Sequence, residues 1–354
     1  AISAEFETAF FVREAILDRM RWGAPPGFAE GADYGRLPAA YAADLPGRRA
    51  APVPVAVRTL DPRVFGLWGQ GFGSFGQARS DGNAASLSRQ TSGFVLGADV
   101  RVEGGFRLGV AGGYTATSLD TAGRLQSGSI ESGFGGLYGS YERGPVSLRL
   151  GAVYADNAAR LTRTVAFAGF ADTPSARTGG STIQGFGEIG YKLFLGGAAL
   201  PVGEDAAPVP VALSYIEPFV GGAVVAIGRD RFTETGGIAA LTGFARDYDL
   251  GAATAGVRAQ TSFDLGLGAP VSAHGLLGYR RAFGDVVPTA LLAFGATGPA
   301  FLTAGIPIDR DALVAEAGLD LRVSAAATLG IAYTGQVGSR AEDHAVKGNF
   351  TYRF

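Results

Sequence analysis

The chain has 354 residues and a formal net charge of −2; only 18% of its residues are charged, while 47% are hydrophobic. Its 56 glycines make glycine more than twice as frequent as the ~7% of an average protein. The absence of cysteine excludes a disulfide framework and a thiolate metal site, and the scattered lysines and arginines argue against nucleic acid as a partner.

The first predicted element is an α-helix at residues 4–22. Ser3 can cap its N-terminus, and its acidic start and basic end suit the helix dipole. The helix is too charged to face lipid, and its apolar residues do not form one narrow stripe. Two positions remain open: a plug or tether inside a polar lumen, or an amphipathic segment on a surface. The candidate pore-helix residues are Glu5, Phe10, Arg13, Glu14, Leu17 and Arg21.

Residues 23–62 are rich in proline and alanine and predict an irregular linker. Together with the helix they form a first region, residues 1–62. The composition changes after this point, so we expect a second region at residues 63–354.

From Arg63 onward, segments of about ten residues alternate apolar with small or polar side chains, which is typical of transmembrane β-strands. Because successive side chains of a strand point to opposite faces, the alternation assigns one face to lipid and the other to a lumen. In residues 91–102, for example, Leu96 and Val100 share one face, and Asp99 lies on the other. Aromatic residues near the ends of the apolar faces fit interfacial girdles: Tyr114, Tyr154, Tyr191, Tyr279, Tyr352 and Phe354.

The pattern therefore predicts an all-β protein, a 12-stranded antiparallel transmembrane β-barrel. An even number of strands returns both ends of the barrel to the periplasm. A soluble β-sandwich or solenoid also alternates, but 18% charged residues is low for its outer face. The strands are predicted at 64–76, 91–103, 106–118, 130–142, 145–165, 180–195, 213–229, 248–264, 270–283, 311–323, 328–338 and 343–354.

The connections alternate in length, as expected when short turns face the periplasm and long loops face the exterior. The longest predicted external loops are 166–179, 230–247 and 284–310. Residues 196–212 do not fit this alternation, because they would form a long connection on the periplasmic side, where short turns are expected. We interpret them as an insertion, with a miscounted strand as the alternative.

The uncharged stretch Val286–Ile308 is the one candidate for a transmembrane helix. It contains Pro288, Pro299 and Pro307, which would interrupt backbone hydrogen bonding repeatedly in lipid. We therefore interpret it as a loop.

The same alternation places polar side chains on the lumenal face. Buried charges must be paired or hydrated, so the simplest interpretation is a wet pore lined by ion pairs. A second hypothesis is that some of these side chains hold the N-terminal helix. The lumenal candidates are Arg101, Arg149, Glu188, Arg258, His274, Arg280, Glu316, Asp320, Arg322 and Lys347.

Enzymatic barrels are the main alternative class, and the sequence offers little for catalysis. Its only histidines are His274 and His344, and no G-x-S-x-G motif accompanies them. We interpret His274 as a lumenal polar residue and His344 as a solvated residue at the outer rim. No catalytic residue, cofactor or metal site is therefore predicted.

Several stretches resemble the autotransporter β-domain. Each is weak alone, but their order from about Leu67 to Phe354 is specific. The matching stretches are Leu67–Gly73, Asp81–Ala84, Gly93–Asp99, Leu108–Tyr114, Arg163–Phe167, Phe232–Gly237, Phe283–Asp285, Glu316–Asp320 and Phe350–Phe354.

The resemblance implies a barrel in the outer membrane of a Gram-negative bacterium, traversed by the N-terminal helix, that secretes or anchors an N-terminal passenger domain. It implies a monomer whose partners are outer-membrane lipid, its own passenger, the barrel-assembly machinery and periplasmic chaperones. The aromatic ending, Phe350, Tyr352 and Phe354, resembles the family's assembly signal. An outer-membrane enzyme or a passive porin remains the alternative.

Two features qualify the resemblance. The start of the sequence, Ala1 to Glu5, lacks the basic and apolar regions of a signal peptide, so we interpret the chain as a mature fragment without its passenger. Some relatives cleave themselves within the helix at paired asparagines. This chain has no asparagine before Asn83, which argues against self-cleavage.

Overall fold

The computed structural model of the chain describes residues 2–22, 64–121, 126–195, 214–264, 270–295 and 298–354. The predicted linker, the predicted insertion and the short turn Gly266–Ala269 lie outside these residues. The division into regions 1–62 and 63–354 therefore stays a prediction.

Long antiparallel strands form a closed 12-stranded barrel with one N-terminal helix, which confirms the predicted fold. Each strand pairs with the next in the chain, and the last closes on the first, where Thr351 lies opposite Trp68. Closure pairs the backbone groups that an open sheet edge would leave exposed. The strands are β1 (Phe65–Ala78), β2 (Leu87–Val102), β3 (Phe106–Thr121), β4 (Gln126–Arg143), β5 (Val146–Arg163), β6 (Ser175–Tyr191), β7 (Tyr215–Arg229), β8 (Arg246–Asp264), β9 (Pro270–Gly284), β10 (Asp311–Arg322), β11 (Ala327–Gly338) and β12 (Ala341–Arg353).

Side chains alternate between an exposed outer face and a buried inner face along each strand. In β2, Leu96 is 59% exposed, whereas its neighbour Val95 is fully buried. The aromatic residues assigned to girdles, among them Tyr154 and Tyr279, are all exposed. This apolar outer face is the one that a lipid environment requires.

None of the described helical residues form a helix with the length and apolar character needed to cross a membrane.

Three strands begin four or five residues earlier than predicted: β2 at Leu87, β4 at Gln126 and β6 at Ser175. Pairing continues through polar residues, as where Ser88 lies opposite Asp120. The alternation of apolar and polar residues therefore ends before the backbone hydrogen bonding between the strands does. The reason is that polar strand ends can extend beyond the part of the barrel that faces lipid.

The three long connections predicted as external loops contain short β-strands that the sequence did not predict. Residues 166–179 take part in a small hairpin that pairs Val165–Phe167 with Phe170–Asp172. Residues 230–247 and 284–310 together form a four-stranded sheet. Its strands are Phe232–Thr233, Leu241–Gly243, Thr289–Phe294 and Ala300–Ala304.

The stretch Val286–Ile308 thus contains a β-hairpin and is not a plain loop. Its partner is distant in sequence, since Thr242 lies opposite Ala293. Local periodicity carries no information about such pairing, which explains the error.

The helix α1 (Ile2–Arg21) begins two residues earlier than predicted and lies inside the barrel. Its side chains contact opposite walls: Asp99 of β2, Glu188 of β6 and Lys347 of β12. Of the two positions left open, the lumen is therefore the observed one. Because walls surround the helix, nearly all its side chains are buried, and no single apolar stripe is needed.

The direction of α1 follows from its contacts at each end. Ser3 donates a hydrogen bond to the carbonyl of Ile306, in the longest connection (Oγ to O, 3.2 Å). At the other end, Arg107 donates to the carbonyl of Arg19 (3.2 Å), close to the turn at Gly104. The N-terminus of α1 therefore lies at the long-loop end of the barrel and its C-terminus at the short-turn end.

Candidate functional site: the lumenal helix interface

Arg19 and Asp99 form the first contact at the short-turn end. Two hydrogen bonds join them, Nε to Oδ2 at 2.6 Å and Nη2 to Oδ1 at 2.9 Å. Arg19 also donates to Thr351 (3.0 Å), and the Tyr138 hydroxyl donates to Asp99 (2.9 Å). The two-pronged geometry matches guanidinium to carboxylate and fixes both position and orientation.

A second, larger cluster surrounds Arg21. Its guanidinium donates to Glu188 of β6 (Nη2 to Oε2, 2.5 Å), which also accepts from Arg149 at 2.9 Å. Arg258 lies 2.8 Å from the same carboxylate. Glu217 of β7 lies between Arg149 and Arg258, 3.1 Å from each. Since all these side chains are buried, each charge depends on its partners to replace water.

The third group joins α1 to β10 and β12. Lys347 Nζ donates to Asp18 (2.8 Å) and to Glu316 (2.6 Å). Glu316 also accepts a hydrogen bond from the indole of Trp22 (3.0 Å). Lys347 and Glu316 therefore connect Asp18 and Trp22 to β12 and β10 by hydrogen bonds.

Charged contacts also hold the long-loop end of α1. Glu7 accepts from Arg280 (3.2 Å) and from Gln336 (3.2 Å), and Glu5 pairs with Arg229. Along the middle, apolar packing dominates. The ring of Phe11 stacks on Phe72 with centroids 5.7 Å apart, and Ile16 is fully buried.

The structure brings most predicted lumenal residues onto the helix. His274 stacks on Trp22, and Asp320 lies beside His274. The residues that are buried and lie in the clusters above are Arg149, Glu188, Arg258, Arg280, Glu316 and Lys347. Arg101 and Arg322 are half-buried on the inner face near the short turns. The pore-helix candidates Glu5, Phe10, Arg13, Leu17 and Arg21 are buried, and Glu14 is half-buried.

Sequence reasoning missed several site residues. On the helix these include Glu7, Asp18 and Arg19. On the wall the clearest omission is Glu217, which lies between two inward-facing aromatic residues, Tyr215 and Phe219. These three residues alternate with outward-facing ones and so point to the same side of the strand. A carboxylate among large apolar residues was therefore a signal that the inner face carries both charged and apolar side chains.

Inward-facing aromatic residues were also missed, because the inner face was expected to be polar. Tyr138 and Phe186 are buried against the helix. Each covers a glycine of the neighbouring strand: a Cβ at Gly109 would lie 2.3 Å from Tyr138, and one at Gly151 would lie 2.4 Å from Phe186. A glycine on one strand opposite an aromatic residue on the next was thus the sequence signal that these aromatic side chains face inward.

Within the described part of the chain, no group of three or more His, Asp or Glu side chains is placed to hold a metal ion. His274 has two carboxylates near it, with Nδ1 3.2 Å from Asp320 and Nε2 3.9 Å from Glu316. The contacts described above are charge pairs, hydrogen bonds and apolar packing.

The family model described as "Autotransporter beta-domain" matches residues 67–334. The chain belongs to this family, as the sequence motifs predicted. It is a translocator β-domain, and the family implies an integral outer-membrane protein with a covalently linked passenger.

Two extracellular serine proteases of Serratia marcescens are 32% and 31% identical to it over 290 residues. The match covers 82% of this chain but 26% of each relative, so the chain spans about a quarter of their length.

Solved structures agree on the fold. The translocator domain of the autotransporter NalP from Neisseria meningitidis has a TM-score of 0.63 at 14% identity, covering 83% of this chain and 90% of that one. The transport unit of the autotransporter AIDA-I from Escherichia coli has a TM-score of 0.60 at 14% identity, covering 85% and 94%. The β-domain of the Bordetella autotransporter BrkA has a TM-score of 0.56 at 17% identity, covering 82% and 100%.

Proposed function

We propose that this domain exports a passenger attached ahead of α1 and then keeps α1 in the lumen as a plug and tether. The observation that carries the proposal is the set of buried ion pairs between α1 and opposite walls, such as Arg19 with Asp99 and Asp18 with Lys347. Buried charges on a helix and complementary charges on the wall favour one position and one direction of the helix.

The direction of α1 supports export. Its N-terminus lies at the long-loop end, which in outer-membrane barrels faces the exterior, and its C-terminus lies at the short-turn end, which faces the periplasm. A polypeptide that precedes Ile2 would therefore emerge outside the cell. The barrel anchors it because its apolar outer face holds the domain in lipid.

A tagged chain tests export. We expect an epitope placed ahead of Ala1, behind a signal peptide, to be accessible to antibody and protease on intact cells. The same epitope placed in the turn at Gly144 should be accessible only after the outer membrane is opened. An N-terminal epitope that stays hidden while the barrel is inserted would contradict export.

Conductance tests the plug. Arg280 contacts Glu7 and Glu316 contacts Trp22, so Arg280→Glu combined with Glu316→Arg should loosen α1 while the barrel remains folded. In planar bilayers we expect a higher ion conductance. Arg281→Glu is the matched control, because Arg281 is adjacent in sequence but its side chain is 62% exposed on the outer face. Equal conductance of all three proteins would contradict the plug.

The domain itself is proposed to be non-catalytic and monomeric. The relatives are named serine proteases as whole proteins, and the matched portion is about a quarter of them, so their names do not assign a catalytic activity to this portion. A passive porin would need an open lumen, and the buried helix argues against one. Closure of the barrel pairs the first strand with the last, so the barrel wall itself offers no open edge to a second copy.

The barrel-assembly machinery and periplasmic chaperones are proposed partners through the end of β12. Phe350, Tyr352 and Phe354 are exposed on the outer face, where a partner can reach them before insertion. We expect Phe354→Ser to slow insertion in cells strongly. Phe75→Ser, also exposed on the outer face, is the control. Equal insertion of both variants would argue against a terminal signal.

A further inference from the structure

The connection between β9 and β10 ends in a segment that lies over the long-loop mouth of the barrel. We call residues 304–309 the mouth strap. The carbonyl of Ala304 accepts a hydrogen bond from Asn83 in the β1–β2 loop (3.2 Å), and the carbonyl of Ile306 accepts one from Ser3 of α1 (3.2 Å). The strap therefore contacts both the end of the helix and the rim of the barrel at β1 and β2.

Asp309 attaches the strap to the hairpin tip between β11 and β12. Its carboxylate accepts three hydrogen bonds, from the hydroxyl of Ser339 (2.8 Å) and from the backbone N–H groups of Arg340 (2.8 Å) and Ala341 (2.7 Å). Although Asp309 lies in a connection, it is only 8% exposed. Hydrogen bonds to an ionised carboxylate are roughly twice as strong as neutral ones, so this contact fixes the position of the strap.

Ile308 packs beneath the strap against the start of α1. It belongs to one buried apolar cluster with Ile2 and Phe6 of the helix and with Val286, whose carbonyl accepts from the N–H of Ile308 (2.7 Å). Ile308 is 6% exposed and Phe6 is 1% exposed. Without the start of α1, the apolar side of the strap would face water. The observed position of the strap therefore depends on a seated helix.

A polar cavity lies between the strap, α1 and the barrel wall. Glu7, Arg280 and Gln336 line it, and Ile306 and Asp309 bound it at the long-loop end. Among the described residues, neither Nε of Arg280 nor Oε1 of Gln336 has a hydrogen-bond partner, although both atoms are buried. Buried polar atoms beside a cavity are commonly satisfied by water, so we interpret the cavity as a hydrated space beside the helix. The strap forms the roof of this space.

We propose that the mouth strap closes over the long-loop mouth when α1 is seated, and that Asp309 is the positioning residue that holds it closed. This inference rests on the proposed function and adds a seal to the plug. The helix blocks the centre of the lumen, and the strap covers the cavity that the helix leaves beside the wall. During export the start of α1 is not yet in place, so the strap has no apolar surface to close upon.

Thiol labelling on intact cells tests the position of the strap. The chain has no cysteine, so Ile308→Cys provides a unique thiol. A membrane-impermeant maleimide should label it slowly. Adding Asp309→Ala should speed labelling by about tenfold or more, the equivalent of one lost hydrogen bond to a charged group. Leu302→Cys, which is 63% exposed in the same connection, should label rapidly with and without Asp309.

Two further variants separate the attachment of the strap from a general loss of structure. Asp309→Asn keeps one acceptor oxygen and should label at an intermediate rate. Asp311→Ala removes a neighbouring carboxylate that pairs with Arg281 on the outer face, and it should leave labelling slow. Fast labelling of Ile308→Cys with Asp309 intact, or equal labelling of the Asp309→Ala and Asp311→Ala proteins, would overturn the strap.

A matched pair of helix variants tests the dependence of the strap on α1. Phe6→Ala removes apolar support from the cluster that contains Ile308, whereas Phe11→Ala removes a ring that stacks on Phe72 in the middle of the lumen. Labelling of Ile308→Cys should be faster in the Phe6 variant and stay slow in the Phe11 variant. The same rate in both would show that the start of α1 does not support the strap, contrary to the proposal.

Planar bilayers test the seal. Asp309→Ala should raise the ion conductance above that of the parent protein, because ions gain entry to the cavity beside the helix. Asp311→Ala should behave as the parent protein does. Equal conductance of the three proteins would contradict the seal.

The plug and the strap fail separately. Conductance of the charge-reversal variant at Arg280 and Glu316 decides the plug, whereas labelling of Ile308→Cys decides the strap. If that conductance rises but labelling is independent of Asp309, the plug stands and the strap is wrong. If that conductance is unchanged but labelling depends on Asp309 and Phe6, the strap closes on the helix and the plug is wrong.

Discussion

Arg19 of α1 and Asp99 of β2 are joined by two hydrogen bonds, at 2.6 and 2.9 Å, although 80 positions separate them in the chain. Both side chains are almost wholly buried, at 3% and 2% exposure. Asp99 also accepts from Tyr138, whose hydroxyl accepts from Trp68 (2.7 Å). A helix side chain thus completes a hydrogen-bond network that begins on the barrel wall.

We expect Asp99→Asn to weaken the hold on α1 strongly. The substitution leaves the Arg19 guanidinium buried without a counter-charge, which costs about 3 kcal/mol or more. Single-channel recordings should show more frequent and larger openings. Asp156→Asn is a suitable control, because Asp156 is exposed on the outer face of β5, and it should behave as the parent protein does. Unchanged openings in Asp99→Asn would show that this pair does not retain the helix.

We expect Glu217→Gln to destabilise the barrel wall. Glu217 lies between Arg149 and Arg258, and all three side chains are fully buried. Removing the carboxylate leaves two guanidinium groups with one fewer anion, which should lower the free energy of unfolding by about 3 kcal/mol. Urea unfolding in detergent measures this. Glu131→Gln, at an exposed outer position, should have little effect, and equal midpoints for the two variants would count against the argument.

We expect Gly151→Ala to destabilise the barrel by overpacking. An added Cβ would lie 2.4 Å from the ring of Phe186, which is confined between the wall and α1. The cost of such crowding is about 1–3 kcal/mol. Gly133→Ala is matched, because no atom lies within 4 Å of its added Cβ. Thermal unfolding of the two variants should therefore differ, with Gly133→Ala close to the parent protein.

We expect Leu96→Arg to impair insertion into lipid. Leu96 is 59% exposed on the outer face, and an arginine on the lipid face of a barrel costs about 2–4 kcal/mol at the middle of the bilayer. Folding into vesicles, followed by the mobility shift of the folded barrel on gels, measures the effect. Ser88→Arg, on the same strand and face but in its polar end, should insert normally. Normal insertion of Leu96→Arg would place this surface outside lipid.

The outer face of the barrel was largely predictable from the sequence, whereas the inner face was only partly so. Within the band that faces lipid, outward positions favour apolar side chains, as at Leu96 and Leu277. The inner face obeys no single rule, because α1 presents both apolar and charged groups. Phe219 and Val225 therefore face inward beside Glu217.

The sequence by itself determined the two-sided wall, the strands and the N-terminal helix, because each follows from local periodicity and end signals. Only the tertiary structure decided that α1 lies in the lumen, that Arg21 pairs with Glu188, and that Thr242 pairs with Ala293 in an external sheet. These partners are brought together by strand register and barrel closure. A local pattern cannot encode them, because the energy of a buried charge depends on which distant residue replaces its water.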